Sequence, residues 1–405
     1  MKKHNIVIKF NREVIQSRDN QVLILKSVAT QDNFLTQFSF KSIVSDEMLV
    51  IQNQINTVNF ENLVGICYVQ DIDNMALEEK EHLAQKMNAY DFVEYAYVET
   101  LEPMELPPNL QADSEKIFVN KTTNDTPSFG RLQGYKDPAG PYYSGIDMEY
   151  GWSLGITGQG IRIADIEHNF NYNHVNLKKD TFIELVSNNN NTNSDHGTAV
   201  AGIMFAKDVG FGVKGMVYGA DAFYGISEIP DGRVSGIARG LEILRAGDVF
   251  IYEMQTGGAR GTPQNYVPAD FNHAVWDVTQ EALKAGIIIM MAAGNGNENL
   301  DLDIYSEYRN RIDNGVIRVG GGDRSCRNIN ISTYGSMIHV QGWVESVTTT
   351  GYGYLYNGGP NNNYTKEFNG TSSATPIAAS AAVAIQSWYK QQTGHVLTPM
   401  KCERY

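Results

Sequence analysis

The sequence is poor in cysteine, in proline and in charge, and it contains no long apolar run. Its 405 residues include three cysteines and 12 prolines, and only 19% of them are charged. Three cysteines provide neither a disulfide framework nor the paired spacing of a zinc site. The longest uninterrupted apolar segment, residues 287–293, is far shorter than the roughly 20 residues that a membrane-spanning helix needs. These absences argue against a disulfide-stapled module and against a chain that itself spans a membrane.

The charge balance is acidic, with 46 Asp and Glu against 32 Lys and Arg and a formal net charge of −14. Surplus negative charge repels polyanions, so we expect no nucleic-acid partner and no partner on an anionic membrane surface. The N-terminus lacks a signal-peptide pattern, because residues 5–10 alternate like a strand instead of forming an apolar core. At the other end, a helix start at residues 397–400 stops shortly afterwards, which suggests a truncated or divergent C-terminus.

The pattern of apolar and polar residues divides the chain into three segments. Residues 1–105 contain predicted strands around one charged amphipathic helix, which indicates a small α+β unit. Residues 106–140 are predicted to be a linker and the N-terminal segment of the mature protein, because the proline-punctuated stretch 101–109 is followed by polar residues to about 126. From residue 141 to residue 405 strands alternate with helices, and the run 287–292 is apolar on both faces. This alternation predicts an α/β fold with a doubly wound, mostly parallel sheet.

Polar side chains follow several of the predicted strands, at the edge where such folds bind ligands. One strand ends in Asp165 and Glu167, a turn with His196 opens one helix, and a glycine-flanked Ser372 opens the last long helix. A carboxylate, an imidazole and a hydroxyl are the components of nucleophilic acyl transfer, because the serine needs a base and the base needs an orienting acid. Asn295 ends the central strand and adds an amide donor for an oxyanion, a contribution of about 3–4 kcal/mol.

The order of these segments resembles that of the subtilisin-like serine proteases, peptidase family S8. The motifs His-Gly-Thr, Ala-Gly-Asn and Gly-Thr-Ser-x-Ala-x-Pro follow one another as in that family, over roughly residues 145–390. The resemblance implies a subtilisin-like α/β peptidase domain over residues 141–405, with His196 as general base, Ser372 as nucleophile and Asn295 as oxyanion donor. It also implies a protein or peptide substrate, no cofactor for the chemistry, and a monomer.

The acid departs from the family pattern. The family has a strand ending in Asp and a His-Pro-Asp-Leu-like turn seven residues later, whereas counting seven back from His174 gives Glu167. Asp165 lies two residues earlier, and on the same face because side chains alternate along a strand. We expect Glu167 to be the triad acid and Asp165 a supporting buried acid. The alternative gives the triad role to Asp165.

Two further segments resemble the edges that hold substrate in this family. Met254, Gln255, Thr256 and Gly257 match the strand that lines the primary specificity pocket, where Gln255 replaces a smaller residue. Gly232 lies in a segment that matches the opposite edge. The resemblance therefore implies that substrate adds as an extended strand between these two edges, held by main-chain hydrogen bonds.

The N-terminal unit fits the same family, whose members typically carry a β–α–β prodomain that assists folding and inhibits the site until it is cut. The resemblance implies this role for residues 1–105, with residues 101–109 lying in the cleft like a product strand. Structural calcium is common in the family, and the loops 188–195 and 295–303 contain oxygen donors without a recognisable ligand spacing. The resemblance also favours secretion.

Two other interpretations stay open. The altered acid motif and the short C-terminus also fit a catalytically inactive, peptide-binding scaffold with a subtilisin fold. The related sedolisin class uses Ser with Glu and Asp at low pH. The intact segment 195–198, Asp-His-Gly-Thr, argues against that class, which has no histidine base.

Overall fold

The computed structural model describes residues 3–18, 21–24, 34–55, 58–101, 126–141, 144–188, 193–261 and 264–402. Over these residues the chain forms a six-stranded sheet, a seven-stranded sheet and two small sheets. No helix in the described part of the chain is long and apolar enough to cross a lipid bilayer.

The six-stranded sheet is antiparallel and is built from the N-terminal residues. Its strands are β1 (Lys3–Phe10), β2 (Ile15–Arg18), β3 (Gln21–Ile24), β4 (Phe40–Ser42), β5 (Ile66–Val69) and β6 (Val93–Leu101). They lie in the order β2-β3-β4-β5-β1-β6. Two helices accompany the sheet, α1 (Asp46–Ile55) and α2 (Leu77–Met87). Leu83 and Met87 of α2 are buried in one apolar cluster with Ile6 and Ile8 of β1, so this unit has a core of its own.

The seven-stranded sheet is parallel throughout. From β7 onward the strands are β7 (Arg162–Glu167), β8 (Phe182–Val186), β9 (Ala222–Ser227), β10 (Val249–Tyr252), β11 (Gln255–Gly257), β12 (Tyr266–Pro268), β13 (Ile288–Ala292), β14 (Ile317–Gly322), β15 (Val340–Trp343), β16 (Val347–Thr350), β17 (Tyr356–Asn357) and β18 (Asn363–Phe368). The large sheet has the order β15-β14-β13-β10-β7-β9-β8, while β11-β12 and β16-β18-β17 form the small antiparallel sheets.

Helices cover both faces of the parallel sheet. They are α3 (Met148–Ser153), α4 (Asp195–Phe205), α5 (Arg233–Ile243), α6 (His273–Lys284), α7 (Ser306–Arg309), α8 (Thr371–Thr393) and α9 (Pro399–Cys402). Helices α4 and α8 share one buried apolar cluster with the sheet, and α5 and α6 share the cluster on the other face. The doubly wound, mostly parallel sheet that the alternation predicts is therefore confirmed.

Strand β7 shows how the pleat sorts side chains between the two faces. Ile163 belongs to the cluster on the α4–α8 face, whereas Ala164 and Ile166 belong to the cluster on the α5–α6 face. Because side chains alternate with a period of two, Asp165 and Glu167 share the face of Ile163. Both acids thus lie under the two helices that carry His196 and Ser372.

The N-terminal unit packs directly on the outer helices of the larger unit. Val7 of β1 lies in the same buried apolar cluster as Val234 of α5. Lys9 Nζ and the Tyr95 hydroxyl each donate to Asp277 Oδ2 of α6 at 2.9 Å. The apolar contact removes surface from water, and the polar contacts fix the position of the N-terminal sheet on the helices.

A buried ion pair joins the segment before α6 to β14. Asp270 and Arg318 form a salt bridge with side chains 0% and 3% exposed. Asp270 also accepts hydrogen bonds from the Tyr308 hydroxyl and, at 2.7 Å, from Asn314 Nδ2. With these partners the carboxylate is well compensated, as a charge in a protein interior has to be.

Asp270→Ala is expected to lower the free energy of unfolding by about 3–5 kcal/mol, because it leaves the Arg318 guanidinium buried without its counter-ion. Urea unfolding of the full chain measures the change, in a Ser372→Ala background that excludes self-digestion. The control is Arg327→Ala, which breaks an exposed pair with Asp323 and should not change the unfolding midpoint. Equal effects of the two substitutions would contradict the prediction.

Candidate active site

An acid and an imidazole meet at the carboxyl end of β7. Glu167, the last residue of the strand, places Oε1 2.7 Å from Nδ1 of His196, and its Oε2 accepts a hydrogen bond from the backbone N–H of His168 at 3.4 Å. Both side chains of the pair are buried. Burial lowers the pKa of His196 and raises the pKa of Glu167. Burial thus favours the neutral imidazole, and a carboxylate at this distance is placed to stabilise a positive charge on the ring.

Small side chains bring α4 close enough for this contact. A Cβ on Gly197 would lie 2.6 Å from the backbone oxygen of Asn169, so only glycine fits at this point. The turn is also fixed by Thr198, whose hydroxyl donates to Ser194 O at 2.6 Å and accepts from Asn171 N at 2.8 Å. The close approach explains why glycine follows His196, and the two hydrogen bonds explain why threonine comes next.

Ser372 is the second residue of α8, beside the start of the helix. Gly370 precedes the helix with φ +80°, a conformation that other residues rarely adopt. The Ser372 hydroxyl is buried and makes no hydrogen bond of normal geometry with the described residues. Ser373 differs, because its hydroxyl donates to Trp343 O at 2.7 Å. Of the two adjacent serines, only Ser373 has its hydroxyl engaged in a hydrogen bond of normal geometry within the described residues.

Asn295 lies next to this helix start. Its Oδ1 accepts hydrogen bonds from the backbone N–H of Thr371 at 2.8 Å and from the Thr371 hydroxyl at 3.0 Å. Its own backbone N–H donates to Gln255 Oε1 at 2.9 Å. With Oδ1 engaged by donors, the NH₂ end of the amide is the end that can donate to a ligand. That end lies beside Gly370, where a Cβ would be 3.0 Å from Nδ2.

Asp165 makes no hydrogen bond with the imidazole of His196. It is fully buried, and neither of its carboxylate oxygens has a hydrogen-bond partner among the residues that the structure describes. In the parallel ladder it stands between Ile251 of β10 and Gly225 of β9. Burial first, and the charge of Glu167 second, raise the pKa of Asp165 well above its usual value. The structure thus pairs Glu167, and not Asp165, with His196.

Glu253 is a third buried carboxyl group at this site. It directly follows β10, and Tyr252 pairs with Ile166 in the ladder, so Glu253 stands beside Glu167. Glu253 was not among the site residues predicted from the sequence. The signal that could have identified it is the acidic residue immediately after a strand of four apolar and aromatic residues.

The residues expected to bind substrate lie on two edges. Met254 is buried, while Gln255, Thr256 and Gly257 form β11, antiparallel to β12. The opposite edge at Gly232 is covered by the N-terminal unit. A Cβ on Gly232 would lie 2.3 Å from the Tyr68 ring and hydroxyl. The Gln255 side chain is held by the Asn295 N–H, which links the pocket wall to the amide donor.

Glu99 of the N-terminal unit reaches the start of α5. Its Oε2 accepts hydrogen bonds from the Tyr68 hydroxyl at 2.9 Å and from the backbone N–H of Arg233 at 3.4 Å. The Tyr68 hydroxyl in turn accepts from the N–H of Val234 at 3.0 Å. A carboxylate is favourable there because the first N–H groups of a helix have no partner within it. Residues 102–109, expected in the cleft, lie outside the described residues.

The described residues contain no group of three or more His, Cys, Asp or Glu side chains that could hold a metal ion. In the loop 295–303, Asp301 instead accepts hydrogen bonds from the backbone and hydroxyl of Ser336. Residues 189–192 of the other candidate loop lie outside the described part of the chain. Calcium therefore remains an expectation from family resemblance.

Comparisons with known proteins show which family and which relatives the chain resembles. The model of the subtilase family matches residues 158–402. The chain is 28% identical over 249 residues to alkaline elastase YaB of Bacillus sp. (strain YaB), and the match covers 59% of each chain. It is 26% identical over 335 residues to a thermostable alkaline protease of Halalkalibacterium halodurans, which covers 78% of this chain and 84% of that protein.

A solved structure shares the fold. A protease from Pseudoalteromonas arctica aligns with a TM-score of 0.51 and 20% identity, over 69% of this chain and 91% of the other. The chain spans about three fifths of the length of several curated relatives, among them the alkaline elastase and subtilisin E of Bacillus subtilis.

Two isosteric substitutions separate the roles of the two acids on β7. Glu167→Gln is expected to slow the reaction of Ser372 with a fluorophosphonate probe by about ten-thousand-fold, because the amide favours the wrong imidazole tautomer. Asp165→Asn should slow it by less than about tenfold, since Asp165 makes no hydrogen bond with His196. The second-order labelling rate measures both effects, with thermal unfolding as the check on folding. The reverse order of effects would assign the triad acid to Asp165.

Proposed function

The chain belongs to the subtilase family, and from this membership and the site we propose that it is a serine endopeptidase made as a self-processed zymogen. The observation that carries the proposal is the Glu167–His196 hydrogen bond of 2.7 Å, below the helix start that carries Ser372. Asn295 supplies an amide donor beside the same helix start. The chemistry needs no cofactor, and the substrate is a protein or peptide bound by a monomer.

In the proposed mechanism, Ser372 Oγ attacks the scissile carbonyl carbon while His196 removes its proton as general base. Glu167 holds the imidazole in the correct tautomer and stabilises the imidazolium. The leaving amine then takes the proton from His196, and the acyl group stays on Ser372. Water, activated by the same imidazole, cleaves the ester and restores the free hydroxyl.

The oxyanion of the tetrahedral intermediate is held by two donors in this proposal, the side-chain amide of Asn295 and the backbone N–H of Ser372. The start of α8 adds the partial positive charge of the helix dipole. Such a preorganised donor contributes about 3–4 kcal/mol to the stabilisation of the transition state. The Thr371 hydrogen bonds orient the Asn295 amide before substrate arrives.

The N-terminal unit is proposed to act as the inhibitory prodomain. Three features support this role: its contact with Gly232 on an edge expected to bind substrate, the Glu99 carboxylate at the start of α5, and the apolar contact with α5. Strand β6 ends at Leu101, immediately before the segment 102–109 that we propose to enter the cleft. Cleavage after this segment would release the unit.

A catalytically inactive scaffold with the same fold is the other candidate, motivated by glutamate in place of the family's aspartate. A fluorophosphonate probe distinguishes the two. Labelling of Ser372 in the folded protein supports the peptidase. A folded protein that is not labelled supports the scaffold.

Ser372→Ala is expected to leave an uncut, full-length chain when it is produced in a protease-deficient host, because the variant lacks the nucleophile. Intact-mass analysis of the purified protein measures the outcome. The matched control is Ser373→Ala, which removes the neighbouring hydroxyl and should be processed like the wild type. Loss of about the first hundred residues from the Ser372→Ala chain would rule out self-processing.

A further inference from the structure

Three carboxyl groups converge on one face of the parallel sheet. Asp165 and Glu167 project from β7 toward α4 and α8, and Glu253 follows β10, whose residue Ile251 belongs to the apolar cluster on that same face. The ladder pairs Ile251 with Asp165 and Tyr252 with Ile166. The three acids are therefore neighbours on adjacent strands. All three are buried, with exposures of 0% for Asp165, 3% for Glu167 and 1% for Glu253.

Of these three acids, only Glu167 has a hydrogen-bond partner of normal geometry within the described residues. Glu167 binds His196, whereas none of the four carboxyl oxygens of Asp165 and Glu253 makes a hydrogen bond of normal geometry within the described part of the chain. The Ser372 hydroxyl, 1% exposed as a residue, is likewise without a regular partner. Glu253 is close enough to this hydroxyl for the Ser372 side chain to lower the pKa of Glu253, against the larger effect of burial.

Burial and the neighbouring charges determine whether the Glu253 carboxyl group is protonated. From β7 it faces Asp165 and Glu167, and from α8 it faces the Ser372 hydroxyl. His196 of α4 is engaged by Glu167. Burial first, and then the charges of the two β7 acids, raise the pKa of Glu253 well above 4.5, and Ser372 opposes this only in part. Neighbouring buried carboxylates cannot all ionise. Glu253, unlike Glu167, has no nitrogen partner within the described residues that would hold a negative charge, which favours its protonated form.

We propose that protonated Glu253 is a positioning residue for the nucleophile and donates a hydrogen bond to Ser372 Oγ from the buried side. This bond orients the oxygen so that its own proton points toward the imidazole of His196. Glu253 keeps its proton throughout the reaction, because His196 is the base. The inference rests on the proposed function, since positioning matters only if Ser372 is a nucleophile.

Two substitutions of similar volume test the hydrogen bond. Glu253→Leu removes the donor and is expected to lower kcat by about tenfold with KM within about twofold, the loss expected for one orienting hydrogen bond. Glu253→Gln keeps a donor and should retain most of kcat. The matched control is Tyr356→Phe, which removes another buried hydroxyl without a regular partner and should leave kcat unchanged. Active-site titration with the fluorophosphonate corrects each kcat for the folded fraction.

The protonation state has a separate readout, the pH dependence of stability in a Ser372→Ala background. A protonated Glu253 gives up its proton on unfolding, so it destabilises the folded chain increasingly as pH rises above 4.5. Glu253→Gln lacks this proton release. The ratio of its unfolding equilibrium constant to that of the parent should therefore fall by up to tenfold per pH unit above 4.5. A ratio independent of pH would show that Glu253 is ionised and would overturn the proposal.

The kinetic outcomes are equally decisive. Equal kcat for wild type, Glu253→Leu and Glu253→Gln would overturn the positioning role while leaving the peptidase intact. Equal losses in both variants would show that the carboxyl group acts in some way other than as a donor, and would also overturn it. If the wild-type chain itself neither reacts with the probe nor cleaves peptides, the proposed function fails, and this inference fails with it.

Discussion

The arrangement depends on one constraint, the burial of carboxyl groups at the carboxyl end of a parallel sheet. An acid at the end of β7 can approach an imidazole only if a helix start lies directly above it. That requires the close packing of α4 at Gly197, where a Cβ would clash with Asn169 O. The contact between Glu167 and His196 is short because the strand, the turn and the helix are each fixed by backbone contacts. Removing water from this contact strengthens it and makes any additional charge costly.

The free-energy cost of burying a charge separates the buried acids into those that have a cation partner and those that have none. Glu228 is compensated by Arg233, whose Nε lies 2.8 Å from its carboxylate, and its pKa is lowered mainly by that charge against the effect of burial. Asp165 and Glu253 have no comparable cation among the described residues, and burial raises their pKa values. Burial therefore disfavours the ionised form of the acids that lack a cation, and in the proposed arrangement one of them, Glu253, is a neutral hydrogen-bond donor. A protonated acid beside Glu167 leaves that residue free to ionise when His196 gains a proton, whereas a second carboxylate beside it would repel the charge.

The pattern of apolar residues in the sequence was sufficient to predict the parallel sheet. Buried strands such as β13 are apolar on both faces and alternate along the chain with amphipathic helices. The pattern also placed His196, Ser372 and Asn295 at helix starts and strand ends. The spacing to His174 favoured Glu167 over Asp165 as the triad acid. Periodicity alone could not separate the two, because a period of two puts both on one face. Glu253 was missed as a site residue, because its proximity to Ser372 depends on the register between β10 and β7. Strands β2, β3 and β4 have three or four residues each, too few for a periodic signal.

In the contact between the two units, polar groups fix the relative position and apolar groups supply the stability. Glu99 and Tyr68 accept hydrogen bonds from the first N–H groups of α5, which water would otherwise satisfy. Exchanging water for protein acceptors changes the free energy of association of the two units little. These hydrogen bonds therefore determine how the units are positioned more than how tightly they bind. The strength has to come from burial of apolar side chains such as Val7 against Val234. Gly232 permits this approach because its φ of +90° and missing side chain leave room for the Tyr68 ring. A unit held in this way is positioned accurately by its polar groups and is retained only while its apolar surface stays covered.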